Sequence, residues 1–178
     1  MENTQSPVTI RPETQNDIRA IRKLNKRAFK GNSDSKLVDA LRESDSFIAA
    51  FSLVAEKDGQ VVGHILFSPV SIKGLNGPAP ALALAPMAVL PEFQNQGIGT
   101  ALVKRGLEEC GKAGHKIVVV VGHPEYYPRF GFVKAGEKGL KLPFEAPPEV
   151  FMALELAPGA LNGAQGEIIY PPAFHEVT

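Results

Sequence analysis

Apolar residues recur along this chain at two spacings, and the change from one to the other marks out its elements. Residues 8–11 alternate and predict a short strand. Ile18, Ile21, Leu24 and Ala28 then share one helical face behind a capping-box-like start at Thr14 and Asp17. Leu37, Val38 and Leu41 predict a second, shorter helix. Ser33, Asp34 and Ser35 stand ahead of it, any of which could cap, and Ser44-Asp45-Ser46 stops it. Residues 47–56 and 60–72 predict two antiparallel strands joined at Lys57-Asp58-Gly59, because Asp-Gly supplies the positive φ angles of a tight turn. The glycines and prolines of residues 73–80 predict a loop, and residues 81–90 the next strand. A helix beginning near Ile98 separates that strand from Ile117–Val121, five β-branched residues in a row. Such a run suits a strand buried on both faces, and the helix makes a βαβ crossover. Beyond Ala135 only residues 151–156 and 167–170 read as strands, and the tail Pro171-Pro172-Ala173-Phe174 is expected to pack on the sheet.

Composition narrows the functional classes. With 178 residues, 44% hydrophobic and 21% charged, the chain is expected to form one domain spanning 1–178. Nineteen basic and nineteen acidic residues cancel, which argues against a nucleic-acid or anionic-membrane surface. One cysteine, Cys110, cannot close an internal disulfide, and residues 1–9 lack the cationic and apolar parts of a signal peptide, so a cytoplasmic location is expected. The longest apolar run, 79–90, is too short to span a bilayer and is broken by Pro80 and Pro86. His64, His115, His123 and His175 show no metal-ligand spacing, and no metal is expected.

The candidate chemistry lies at Gln94-Asn95-Gln96-Gly97-Ile98-Gly99, between a strand and a helix start. Free N–H groups and the positive end of the helix dipole make such a turn a cradle for phosphate. A dinucleotide fingerprint fails, because Leu102 replaces the third glycine and an apolar run stands where the acidic residue belongs. A nucleotide-triphosphate loop fails too, since Gly99 is followed by Thr100 and Ala101 rather than Lys and Ser or Thr.

What remains, Gln94-x-x-Gly97-x-Gly99 after a strand, resembles the acyl-CoA pyrophosphate loop of the GNAT superfamily of N-acetyltransferases. Tyr126-Tyr127-Pro128-Arg129-Phe130-Gly131-Phe132 resembles the Tyr-x-x-x-Gly-Phe element of the same superfamily, downstream in the expected order. The resemblance implies an α/β fold with a mixed sheet splayed at its central parallel pair and helices on both faces. Its core would cover about 8–135, with divergent C-terminal strands in 136–178. It further implies acetyl-CoA as acyl donor, held by Met87, Ala88 and Val89 through the backbone of the splayed strand and by Gln94, Asn95, Gln96, Gly97, Ile98, Gly99 and Thr100 at the turn. The first two helices would line one side of the acceptor site. Pro86 agrees with the splay, since proline cannot donate to a ladder and belongs at an edge, a bulge or a place where strands part.

Acetyl transfer to an amine needs a neutral amine, stabilised charge on the carbonyl oxygen, and help for the departing sulfur. Backbone N–H groups near Pro86, at Met87 or Val89, are candidate donors to the oxyanion. Tyr127 holds the superfamily's tyrosine position, with Tyr126 as the alternative. A phenol of pKa about 10 facing a thiol of about 8.5 favours stabilising charge over complete proton transfer. Glu56, Glu92, Glu155 and His123 are candidates for the base, and none is singled out. Superfamily members often carry an asparagine ahead of the tyrosine. Here that stretch reads Val-Val-Gly-His-Pro-Glu, with His123 as a substitute. The acceptor, a small-molecule or protein amine, and a homodimeric state are left open. The rival to an N-acetyltransferase is an acyl-CoA-binding regulatory module without turnover.

Overall fold

A computed structural model describes residues 6–175 of the protein, so the first five residues of the polar start lie outside the described residues. Its frame is a nine-stranded sheet in the order β1-β2-β3-β4-β5-β8-β6, with β9 joined to β3 and β7 to β9. The strands are β1 (Thr9–Pro12), β2 (Ser52–Lys57), β3 (Gln60–Gly74), β4 (Gly77–Val89), β5 (Ile117–Val121), β6 (Val133–Lys134), β7 (Leu140–Lys141), β8 (Phe151–Glu155) and β9 (Gly166–Ile169). Three helices flank them: α1 (Ile18–Phe29), α2 (Ser33–Arg42) and α3 (Ile98–Lys112). β4 and β5 run parallel, joined through α3, whereas β1 to β4 and β5 with β8 pair antiparallel. The fold is therefore α/β with an open mixed sheet.

Alternation along β2 and β3 sends side chains to opposite layers. Val54 and Leu66 pack with Ile21, Leu37, Val38 and Leu41 of α1 and α2, while Leu53, Ile65 and Phe67 pack with Ile98, Leu102 and Val103 of α3. Glycines let α3 approach the sheet closely. A Cβ on Gly106 would lie 2.3 Å from the Phe67 ring, and one on Gly63 would lie 2.9 Å from Leu102. Cys110, on the same helix face, is fully buried, and burial pushes its thiol up to about 12.

Three local expectations change. Residues 47–51 are not strand: Ala49–Phe51 form a 3-10 turn, and pairing with β3 begins only at Ser52. Upstream, the sheet offers these residues no partner, because β1 ends at Pro12 opposite Leu53. Residues 73–80 are not loop. β3 and β4 continue as a hairpin to the pair Gly74 and Gly77, with Leu75 fully exposed at its tip. Proline is tolerated along an edge, and β5 reaches β4 only at Leu82 and Ala83, so Pro78 and Pro80 do not interrupt a ladder on that side. Finally, α2 is capped at Asn32 without a side-chain bond, which leaves Ser33, Asp34 and Ser35 in its first turn. Near the C-terminus, the tail turn Pro172–Phe174 packs as expected, with Ala173 buried against the α2 layer.

A polar chain is sealed between α1, α2 and the sheet. Arg42 pairs with Glu13 at 2.8 Å, and the Ser52 hydroxyl donates to Glu13. With its one hydrogen committed, Ser52 Oγ accepts from His64 Nε2 at 3.0 Å, and His64 Nδ1 is left to accept from the Asn25 amide at 3.4 Å. His64 is thereby held neutral with both ring nitrogens partnered. Burial, helped by the Arg42 charge, lowers its pKa to about 3.

Candidate functional site

The sheet opens between its parallel strands. β4 pairs with β5 only at Leu82–Val118 and Ala83–Val119, and beyond that point the strands part. Opposite Pro86, the register of β3 against β4 also shifts, between Ile65 and Phe67, as a bulge would require. The opening continues into a cleft of about 870 Å³ that runs along β4 to the start of α3. One wall is residues 84–89 of β4, and the other is Val120, Val121, Gly122, His123, Tyr126 and Tyr127. Ala28 and Phe29 of α1 and Asp34 of α2 complete the lining at the helix-covered side.

At the far end of β4 the chain turns sharply. Asn95 and Gly97 both hold positive φ, 62° and 84°, which brings α3 off the strand with Gly97 as its N-cap. The first amides of a helix lack partners within it. Here no side chain caps them and the first turn carries no acid, so they remain available to an anion. Gly99 keeps the approach open. A Cβ there would meet the Tyr126 hydroxyl at 3.2 Å and the Met87 side chain at 3.3 Å.

Of the residues expected at the site, Met87, Ala88, Val89, Gln94, Asn95, Gly97, Ile98, Gly99 and Thr100 line the cleft. Gln96 does not; it is exposed, and its amide donates to the Glu92 carbonyl at 3.4 Å. Gln94 also braces the turn, donating to the Val89 carbonyl at 3.1 Å and so occupying one of the β4 backbone groups.

The two tyrosines divide the other wall. Tyr126 places its hydroxyl 3.2 Å from Thr100 Oγ1, beside the α3 start. Tyr127 heads the 3-10 turn Tyr127–Phe130 and is buried, its ring edge-on to Tyr126 and Phe132 and close to Gly122, where a Cβ would lie 2.6 Å from it. Burial raises the Tyr127 phenol well above its ordinary range. It therefore stays protonated, a hydrogen-bond donor rather than an ionised base.

Three of the candidate bases are elsewhere. Glu56 pairs with Arg11 at 2.7 Å, Glu92 pairs with Arg27 at 2.8 Å, and Glu155 sits on β8 opposite Ile117. Only His123 lines the cleft. Two charged residues that sequence reasoning passed over line it as well. Arg129 stacks over Tyr126, its guanidinium 4.4 Å from the ring centre, and donates to the Tyr126 carbonyl at 2.9 Å. Asp34 is half-buried, and the loss of water raises its pKa, offset in part by its own backbone N–H. Arg129 stood inside the aromatic motif and could have been noticed there. Asp34 was read as a cap, and only the helix arrangement places it in the cleft.

Among the described residues, no group of three or more His, Cys, Asp and Glu side chains is placed to hold a metal ion, and no helix is long and apolar enough to cross a membrane. A long, thin ligand with an anionic section suits the cleft: uncapped amides at one end, parted strands along its length, aromatic hydroxyls on the far wall.

The acetyltransferase (GNAT) domain family matches residues 9–135. Among curated proteins, "Uncharacterized N-acetyltransferase YjhQ" of Escherichia coli K12 is 38% identical over 155 residues, covering 84% of this chain and 86% of that protein. "Uncharacterized N-acetyltransferase YhbS" of the same organism is 34% identical over 166 residues, covering 93% and 98%. The crystal structure of E. coli YhbS in complex with CoA superposes with a TM-score of 0.90 over 98% of this chain and 95% of that one, at 34% identity. A GNAT family acetyltransferase from Brucella melitensis in complex with acetyl-CoA gives 0.78 over 95% and 99%, at 35% identity. With the family's domain matched across most of its length and relatives above 30% identity along nearly all of it, this chain belongs to the GNAT family of N-acetyltransferases.

Proposed function

We propose that this protein transfers an acetyl group from acetyl-CoA to an amine, by direct attack of the amine on the thioester while both are bound. The observation that carries the reading is the opening of the sheet between β4 and β5 directly upstream of an uncapped helix start. Two relatives near 35% identity bear CoA or acetyl-CoA in their crystal structures. The residues present suit that donor. The amides of Ile98, Gly99 and Thr100 face its diphosphate, with Arg129 adding a fixed positive charge one ring away from Thr100. Backbone groups of Met87 and Ala88 pair with its amide-bearing arm as a missing strand would. An N–H on β4 past Pro86 meets the carbonyl oxygen as charge gathers there, a type of contact worth on the order of 3 kcal/mol of barrier. Tyr127, protonated and packed beside Gly122, donates to the sulfur as the carbon–sulfur bond lengthens.

Calorimetry with CoA and acetyl-CoA, followed by release of free thiol in the presence of amines, tests this reading. Binding of both ligands with amine-dependent thiol release is expected. No binding at millimolar ligand would remove the assignment, and tight binding without turnover on any amine would instead mark a CoA-responsive module.

A further inference from the structure

The acceptor side of the cleft carries its own signature. Of the carboxylates among the described residues, Asp34 is the one that lines the cleft. It enters from the first turn of α2, where Asn32 holds the cap position and no capping bond claims a side chain. Asp17, Asp39 and Glu92 each sit against an arginine, whereas among the described residues no Lys, Arg or His forms an ion pair with Asp34. Apolar side chains line the same cleft from each of its sides: Ala28 and Phe29 of α1, Pro86 of β4 and Val121 of β5. Phe29 and Val121 are 42% and 41% exposed, which leaves apolar surface open to a ligand in the cleft. The remaining cation of the cleft, Arg129, is tied to Tyr126 beside the α3 start. The cleft thus combines the uncapped amides of the glycine turn with one carboxylate, at the start of α2, that no cation among the described residues pairs.

We propose that Asp34 is the acceptor-recognition carboxylate, binding the ammonium group of a monoamine whose apolar body rests on Phe29 and Val121. The assignment rests on the acetyl-transfer reading and adds the acceptor class to it. The proton balance follows. Asp34 takes one proton from the bound ammonium, and the freed nitrogen lone pair forms the new bond to the thioester carbon. The electron pair of the carbon–sulfur bond leaves with sulfur, which is protonated to give CoA, and the second nitrogen proton passes to solvent. Asp34 then returns its proton to water, so that ammonium and acetyl-CoA yield amide, CoA and one proton. A single carboxylate selects for one charge, so polyamines and lysine-rich peptides gain nothing over a simple arylalkylamine.

The test uses the CoA-loaded protein and 2-phenylethylamine, with 2-phenylethanol as the uncharged counterpart and spermidine as the polycation. Wild type is expected to bind 2-phenylethylamine in preference to both by calorimetry and, with acetyl-CoA supplied in place of CoA, to acetylate it. D34N is expected to raise KM for the amine about tenfold or more and to lower the rate, while CoA affinity stays within about twofold. D34E, which keeps the charge, should recover part of the loss. A purely structural first-turn acid would shift the melting temperature and leave KM alone. Wild-type KM in D34N, preference for spermidine, or no amine binding by CoA-loaded wild type would each overturn the assignment and leave the CoA reading standing. Failure of wild type to bind CoA would overturn both.

Discussion

At the residue scale, Tyr127 and His64 are both buried polar rings, yet burial serves them differently. Tyr127 loses water on a wall of the cleft, and its raised pKa keeps the phenol protonated at a pH where an exposed tyrosine would begin to ionise. Tyr127→Phe is therefore expected to lower turnover about tenfold to a hundredfold with CoA affinity nearly unchanged, as measured by initial rates and calorimetry. The alkaline limb of the pH profile should not move, because this phenol does not ionise there. His64 does not line the cleft and is buried within the sheet, joined to Ser52 and Asn25. Its folded pKa, about 3, lies below the unfolded value of about 6.5. The stability it contributes is complete above about 6.5 and is lost as the pH falls toward 3, by on the order of a few kcal/mol. Urea midpoints should drop between pH 6.5 and 4.5, before the Asp17 carboxylate begins to protonate, and H64Q should flatten that slope. Tyr127 was legible from its motif. Asp34 was not, because its meaning comes from two helix ends meeting a strand far away in the chain.

Elements whose signal is local were read correctly from sequence. The periodicity of α1 and α3, the β-branched run of β5 and the Asp-Gly turn at Asp58 and Gly59 needed no tertiary information, and all are present. The stretches at 47–51 and 73–80 were misread because a strand is defined by its neighbour. Apolar residues 47–51 lie where the sheet supplies no partner, and the glycines and prolines of 73–80 are carried by the length of the β3–β4 hairpin. Gly106 offers a sharp test at this scale. In isolation, alanine would favour the helix by up to about 1 kcal/mol. The new Cβ, however, would fall 2.3 Å from a Phe67 ring that is itself completely buried. Overpacking of this kind costs about 1–3 kcal/mol and outweighs the propensity. G106A is expected to destabilise the protein, with a lowered urea midpoint at unchanged m.

For the molecule as a whole, the sheet is continuous except where β4 and β5 separate, and that gap was foreseeable only through Pro86 and the family resemblance. Backbone amides of β4 beyond Ala83 have no partner strand on that side. In amide exchange, those amides of residues 84–89 that face the gap should exchange far faster than the amides of β4 bonded to β3 and become protected when CoA is added, with little change at β1 or β2. The same gap bears on how the protein keeps to itself. An unpaired strand edge ordinarily invites another chain to add on, the route to aggregation. Here the bare edge lies within the sheet instead of at its margin, converging on the Leu82–Val118 pair and interrupted by a proline. A second polypeptide strand has no straight run on which to dock, so the protein can keep a length of sheet permanently unfinished without inviting its own copies to complete it.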